Sequence, residues 1–464
     1  MNISIKYITA CAALLAMLSG CAVNDAYVRP DAPLPAQLNG ALSENAAKPA
    51  AEWWQRFGSA ELNDLMRQAL AANHDLAAAV SRIRQARAAS GVANANLYPT
   101  LDASAGATRT SSSRDSTTAS GSSRSATISA AYEVDLWGGK ASTRDAARAK
   151  VDYSVFDREA VALVLQADVA SNYFQALALK ERIVVTRSNL EAARQILALV
   201  ELRFERGADT ALEVSQQRTA VLTMEAQIPQ LEQDLLTAQT SLAVLLGKIP
   251  QGFSVKGESL DGLAIPEVAG YQPPVLLERR PDIRKAEASL MAAHADIGVA
   301  RAKLYPGLNL TASTVASGVF GGGSTVVSSL VASLTQSIFS GGSLQSQVEQ
   351  SQAVRDELTE QYLQSILTGL KEVQDSYGLV SASTLRQAIL VQAAQQAQET
   401  YRIANAKYRA GSSDMLTLLD SQRTKLQADD SRIQSDYARL SALVGLYKTL
   451  GGGWSSAGQP PLSS

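Results

Sequence analysis

Twice in this chain a helical pattern turns into a strand pattern at the same three letters, Leu-Tyr-Pro. The longer instance runs from Arg279 to Leu310. Pro281 suits the first turn of a helix, where its missing N–H is no loss. Ile283, Leu290, Ile297 and Leu304 then recur seven apart in an alanine-rich run. Tyr305-Pro306 stops the helix, because a proline disfavours helical backbone in the residue before it. Beyond it the period becomes two, with Leu308, Leu310 and Ala312 on one face. Leu97-Tyr98-Pro99 does the same about two hundred residues earlier. A helix-to-strand junction spelled twice at that distance points to a duplicated architecture.

Each junction is followed by two candidate strands. In the first half Leu101, Ala103, Ala105 and Ala107 alternate, and so do Ala126, Ile128, Ala130, Tyr132, Val134 and Leu136. The Ser/Thr/Arg stretch from Ser111 to Arg124 reads as the loop between them. In the second half the strands cover Leu308–Ser317 and about Ser328–Phe339, around Gly321-Gly322-Gly323. Strands of about ten alternating residues have transmembrane length. By pattern alone a half-wet soluble hairpin fits equally well.

A very long helix leaves each hairpin. The first runs from near Ala141 to Glu205. Its heptad seam passes through Ala162, Leu165, Val169, Asn172, Ala176, Leu179, Ile183, Thr186, Leu190, Ala193, Leu197, Val200 and Phe204. Further apolar residues lie off the seam, so the helix needs neighbours on two sides. At 1.5 Å per residue, about 65 residues make a rod of roughly 100 Å. Gly207 breaks this rod, and a second helix returns to Leu246. The second half repeats the design, from about Leu344 to Arg409, with a break at Gly411 and a return to near Leu450. Each returning helix is shorter than its outgoing partner by about the length of the helix before Leu-Tyr-Pro. Stacked end to end, the two short helices would match the long one.

The expected division is therefore 1–20, 21–58, 59–250, 251–275, 276–450 and 451–464. These are a signal peptide, an extended tether, a first repeat with its hairpin at about 101–136, a linker, a second repeat with its hairpin at about 308–339, and a flexible tail. Trp53-Trp54-Gln55-Arg56-Phe57 should end the tether by packing on the body.

Composition fits long helices with small-residue interfaces: 46% of residues are hydrophobic but only 5% aromatic. The net charge of −2, from 42 basic and 44 acidic residues mixed along the chain, offers no basic stripe for nucleic acid. No catalytic triad, phosphate-binding loop or metal-ligand cluster is present in the pattern, so neither an enzyme nor a cofactor is expected. His74 and His294 sit in helical runs with no partner motif.

Lys6 and the apolar run Ile8–Leu18 have the form of a signal peptide, too short to span a bilayer. Leu18-Ser19-Gly20-Cys21 resembles a bacterial lipobox. That resemblance makes Cys21 the lipidated first residue of the mature chain, and Ala22 after it points to the outer membrane. The only other cysteine, Cys11, lies in the removed segment.

Four strands are too few to close a barrel, and lipid does not tolerate an open sheet edge. Transmembrane strands would therefore require several copies. Three copies give 12 strands and 12 helical rods, and that many rods in a ring leave a hollow centre.

At this point the chain resembles the outer membrane factors of the TolC/OprM/NodT type. The resemblance rests on the lipobox, Trp53-Trp54, Leu277-Glu278-Arg279-Arg280-Pro281-Asp282-Ile283, Ile297-Gly298-Val299-Ala300-Arg301-Ala302, both Leu-Tyr-Pro junctions and Leu418-Leu419-Asp420-Ser421-Gln422-Arg423. It implies a mainly α chain with a membrane β part. Duplicated helical hairpins would form a trimeric α-barrel tunnel in the periplasm, continuous with a 12-stranded outer-membrane β-barrel of four strands per protomer. It further implies a lipid-anchored homotrimer in outer-membrane lipid. This trimer would dock on a periplasmic adaptor and an inner-membrane transporter and act as a passive exit duct for drugs or other small solutes. By the same resemblance Leu416, Asp420 and Arg423 would form the periplasmic gate, and the tips around Gly207 and Gly411 would meet the adaptor. Thr417 stands where some relatives carry a second acidic residue. Positions i, i+4 and i+7 share one helix face, which suits a gate but equally a seam leucine beside a surface ion pair. The alternative to a duct is a lipid-anchored periplasmic coiled-coil adaptor with soluble hairpins.

Overall fold

The computed structural model describes residues 23, 25–32, 34–35, 52–114, 117–267, 273–319, 322–452 and 454. A 3-10 turn, Trp53–Phe57, precedes helices α1 (Ala60–Ala72) and α2 (His74–Ala95). Strands β1 (Thr100–Arg114) and β2 (Thr117–Val134) follow. Helices α3 (Gly139–Glu205) and α4 (Ala211–Leu245) complete the first half. The second half has α5 (Pro273–Arg279), α6 (Pro281–Ala302), β3 (Gly307–Val319), β4 (Ser324–Thr335), α7 (Ser343–Arg409) and α8 (Met415–Thr449). The two outgoing helices, α3 and α7, each have 67 residues and the two returning ones 35.

The four strands form one antiparallel sheet in the order β1-β2-β3-β4. Its register sets Thr100 against Ala131, Val134 against Leu308 and Gly307 against Thr335. The polar stretch Ser111–Arg124 is not the loop expected from its composition. Its residues extend the β1–β2 ladder as far as Arg114 opposite Thr117. An antiparallel ladder satisfies the backbone whatever the side chains, so Ser and Thr can continue a strand that the apolar alternation no longer marks. Strands β1 and β4 are open edges, and β4 is exposed along its whole length.

The helices lie side by side as four rods. Helix α3 packs against α2, α4, α6 and α8, and α7 packs against α6 and α8. The short helices stack end to end on the returning ones, as the length arithmetic requires. Two residues make the joints. Asn73 caps α2, accepting from the Leu76 N–H at 2.9 Å, while its amide donates to the Leu245 carbonyl at the end of α4 at 3.0 Å. Arg280, just before α6, donates to the Thr449 carbonyl at the end of α8 at 3.2 Å. Its guanidinium also pairs with Asp282 and Glu372. Each returning helix ends on a glycine, Gly247 with φ +66° and Gly451 with φ +83°. The glycines allow close approach: a Cβ would sit 2.4 Å from the Ala72 carbonyl oxygen and 2.3 Å from that of Arg279.

The main core lies at the level of these joints. Trp53 stacks on Tyr447 with centroids 4.8 Å apart, and Phe57 lies 5.0 Å from Phe174. Ion pairs Arg182–Asp430 (2.6 Å) and Arg432–Glu181 (2.7 Å) tie α3 to α8 further along. Asp157 on α3 binds Arg82 of α2 at 2.9 Å and Lys285 of α6 at 2.8 Å.

Described residues near both ends of the chain are held against the helices; the remaining residues of the expected tether and tail lie outside the described ones. Arg29 pairs with the buried Glu287 of α6 at 2.6 and 3.0 Å, and the Tyr27 ring meets that of His294 edge-on. Those contacts are made by residues more than 250 positions apart, which no local pattern signals. Gly451 and Gly452 are buried and Trp454 packs edge-on to Phe156 at 6.0 Å. Among the described residues no helix is long and apolar enough to cross a membrane.

Candidate functional site

The far ends of the two helical hairpins come together in space. Helix α3 breaks at Gly207 (φ +76°) and α7 at Gly411 (φ +70°). Positive φ is the conformation glycine adopts without cost. Each return is then capped. Thr210 and Glu213 form a reciprocal capping box at α4, in which backbone and side chain satisfy each other's groups. Asp414 accepts from the Thr417 N–H at 2.8 Å at α8; hydrogen bonding from the Thr417 side chain, and then from this N–H, holds its carboxyl below the ordinary range.

A small cluster of Ile196, Val200, Ala404, Tyr408, Met415, Leu418 and Leu419 holds the tips together. Its polar flank is a three-residue clamp. The Tyr408 phenol donates to Asp209 at 2.8 Å, and the Arg203 guanidinium pairs with the same carboxylate at 3.0 Å. Arg203 also lies 4.9 Å over the Tyr408 ring and donates to the Tyr408 carbonyl at 3.4 Å. Burial, and then the bond to Asp209, push the phenol's pKa above its ordinary range. Sequence reasoning missed this clamp. Its members are ordinary tip residues in the sequence, and Tyr408 and Asp209 are 199 positions apart.

Leu416, Asp420 and Arg423 fall together on one exposed face of α8's first turns. Met415, Leu418, Leu419 and Gln422 form the opposite, buried face. Leu416 is 68% exposed, so within the chain it is not a seam residue. Asp420 and Arg423 form no ion pair with each other within the chain. The corresponding arginine of the first half behaves differently. Arg218 pairs with Glu201 of α3 at 2.7 Å. Aligning the ends of the long helices, Glu205 and Arg409, places Asn405 on α7 where α3 has Glu201, and Asn405 accepts from Arg409 instead. Among the described residues, the second half thus leaves Arg423 without an ion-pair partner. Cys21, the expected lipidation site, lies outside the described residues.

A family model described as outer membrane efflux protein matches residues 65–248 and 273–452, most of the chain and one match to each half. The chain belongs to the outer membrane efflux protein family. It is 39% identical to the pyoverdine export outer membrane protein OpmQ of Pseudomonas aeruginosa, over 95% of this chain and 97% of that one. It is 32% identical to the probable efflux pump outer membrane protein TtgC of Pseudomonas putida, covering 94% of each. It is 30% identical to the cation efflux system protein CusC of Escherichia coli, over 97% and 99%. Among solved structures, the outer-membrane channel OprN superposes with a TM-score of 0.87 at 27% identity, over 94% of this chain and all of that one. The open-state outer membrane channel MtrE of Neisseria gonorrhoeae gives 0.85 at 25%, over 93% and 98%. As in this family, the chain is an outer-membrane efflux channel component, built as a helical periplasmic tunnel joined to a membrane β-sheet. Whole-length likeness to channels decides against the adaptor reading.

Proposed function

We propose that three copies of this chain form a gated exit duct, lipid-anchored through Cys21, which receives solutes from an inner-membrane transporter through a periplasmic adaptor. The observation that carries the reading is the open sheet. Both β1 and β4 end unpaired, and a lipid-facing edge is not tolerated. Closure by three copies makes a barrel of about 12 strands, in the size range of membrane barrels. The apolar residues left exposed on the outer rods point the same way. Leu222 and Leu236 on α4, and Leu367, Leu379 and Ile389 on α7, are open to solvent in a single chain. They become a seam when copies stand side by side.

The gate we assign to Leu416, Asp420 and Arg423. Around a threefold axis Leu416 would form an apolar constriction that sheds water. Asp420 would form a carboxylate ring whose like charges repel unless a cation answers them. Arg423, without an ion-pair partner among the described residues of its own chain, would do so. The tips at Gly207 and Gly411 are the exposed ends that an adaptor would meet. The relatives' names span pyoverdine export and cation efflux, so we read the cargo as whatever the pump delivers.

Single-channel conductance in planar bilayers tests the gate. Wild-type trimers should conduct little, and Asp420→Ala or Arg423→Ala should raise conductance severalfold with the trimer intact. Unchanged conductance in both variants rejects the gate assignment.

A further inference from the structure

Where the first hairpin meets the second, the chain builds a specific joint. Where β2 leaves the sheet and β3 enters it, Trp137 stacks on Tyr305 with centroids 4.7 Å apart and planes at 25°. The Trp137 Nε1–H donates to the Pro306 carbonyl at 2.8 Å. Beside it the start of α3 presses on the end of α6, so closely that a Cβ on Gly139 would lie 2.7 Å from that of Ala302.

The repeat spells the same joint again, but its halves are far apart in one chain. Tyr98-Pro99 repeats Tyr305-Pro306 and stands before β1 at one edge of the sheet. Ile338-Phe339 repeats Leu136-Trp137 and stands after β4 at the other edge. Here nothing is joined. Tyr98 is 64% exposed, Phe339 88% and Ile338 98%. A Cβ on Gly341 or Gly342 would meet nothing within 4 Å. The long helix that starts here, α7, lacks the short-helix neighbour that α6 provides for α3 at the corresponding level on that side.

We propose that Phe339 of one copy stacks on Tyr98 of the next, with Gly341-Gly342 seated against the last turn of that copy's α2. The joint made once inside each chain is then made again between copies. The contact is head-to-tail, and repeated around the ring it closes. It selects a second copy of this chain as occupant, because the same sequence elements already recognise each other at Trp137 and Tyr305. Aromatic pairs prefer such offset stacking. Phenylalanine has no N–H, so this version lacks the bond to the proline carbonyl and rests on stacking alone.

The inference rests on the trimeric duct, and disulfide trapping separates the two. Apart from Cys11 and Cys21 the chain has no cysteine. Two differently tagged full-length chains, one Tyr98→Cys and one Phe339→Cys, are co-expressed and oxidised in membranes. A mixed-tag covalent dimer is expected, and a linked trimer from the double variant. Trp137→Cys with Tyr305→Cys should link within one chain and keep monomer mass. Native-mass trimers without any inter-chain link overturn the contact and leave Phe339 facing lipid. Absence of trimers overturns the duct reading and the contact with it. A second measurement needs no cysteine. Phe339→Ala and Tyr98→Ala should each lower the dissociation temperature of the trimer, and the double variant should lose little more than either. Losses that simply add overturn the pairing.

Discussion

Tyr408, on the last turn of α7, donates its phenolic hydrogen to Asp209 in the turn beyond α3, across 2.8 Å. With the Arg203 bond to the Tyr408 carbonyl, this hydrogen bond ties together the tips of two separate hairpins. Asp209 is nearly buried and keeps its Arg203 partner. Tyr408→Phe should therefore cost about 1–2 kcal/mol of local tip stability without unfolding the protein. Hydrogen exchange should quicken across residues 204–214 and leave the joint region unchanged, and leak conductance in bilayers should rise. Protection equal to wild type at the tip would show that the cluster around Met415 holds alone.

Gly451 ends α8 at φ +83°, with the Arg279 carbonyl oxygen 2.3 Å from where a Cβ would stand. Gly451→Ala meets both backbone strain and a clash with backbone. The expected loss is about 2–4 kcal/mol, from strain and overpacking together. Thermal melting by circular dichroism measures it. Gly411→Ala is the control: it has a similar φ but open space around it, and should cost only about 1 kcal/mol.

Burial would raise the carboxyl of Asp157, but hydrogen bonds from Lys285 and Arg82 outweigh it and hold it below its ordinary range. A carboxylate with a lowered native pKa contributes stability that is present above the unfolded value of about 3.9. That contribution is lost as pH falls through the lowered native value. Wild type should be more resistant to heat than Asp157→Asn at pH 7, and the gap should close as the pH falls from about 4 through the lowered native value. A gap that stays constant on acidification would mean that the carboxylate's charge is not what ties α2, α3 and α6.

Cys21→Ser should abolish incorporation of labelled lipid while leaving the sheet and helices in place. Residues 25–32 are held to α6 by Arg29 and Tyr27 independently of the anchor. The measurement is metabolic fatty-acid labelling, with fractionation of the membranes. Label retained in the variant would place the modification elsewhere.

The periodic parts of this fold were open to reading from the chain. The heptad seam through Leu165, Val169 and Leu179 marked a long helix, and Tyr98-Pro99 and Tyr305-Pro306 marked where each short helix turns to strand. The end-to-end stacking followed from lengths alone. Local pattern failed wherever the deciding interaction was not written in the apolar periodicity of the segment itself. Ser111–Arg124 looked like a loop because its strand character comes from the ladder with its neighbour, not from its own side chains. Arg29 and Glu287, or Phe156 and Trp454, have no shared signal in sequence. At the tip, the spacing of Leu416, Asp420 and Arg423 fixed a common helix face but could not say whether that face was buried. The structure leaves it exposed, and adds the clamp of Arg203, Asp209 and Tyr408 beside it.

The butt joints at Asn73 and Arg280 have a mechanical consequence. A continuous 67-residue helix must carry one curvature along its length, or kink. A rod made of two helices abutting at a glycine has no such obligation. In each chain, rods that run through alternate with rods that are jointed, and both joints lie at the level of the same core. The wall can therefore wind one way above that level and another way below it, without breaking a backbone hydrogen bond. A tube built so can stay wide where it meets a fixed barrel and still taper, or dilate, at its free end. Any such change of width would be taken up at the paired helix ends, far from the mouth.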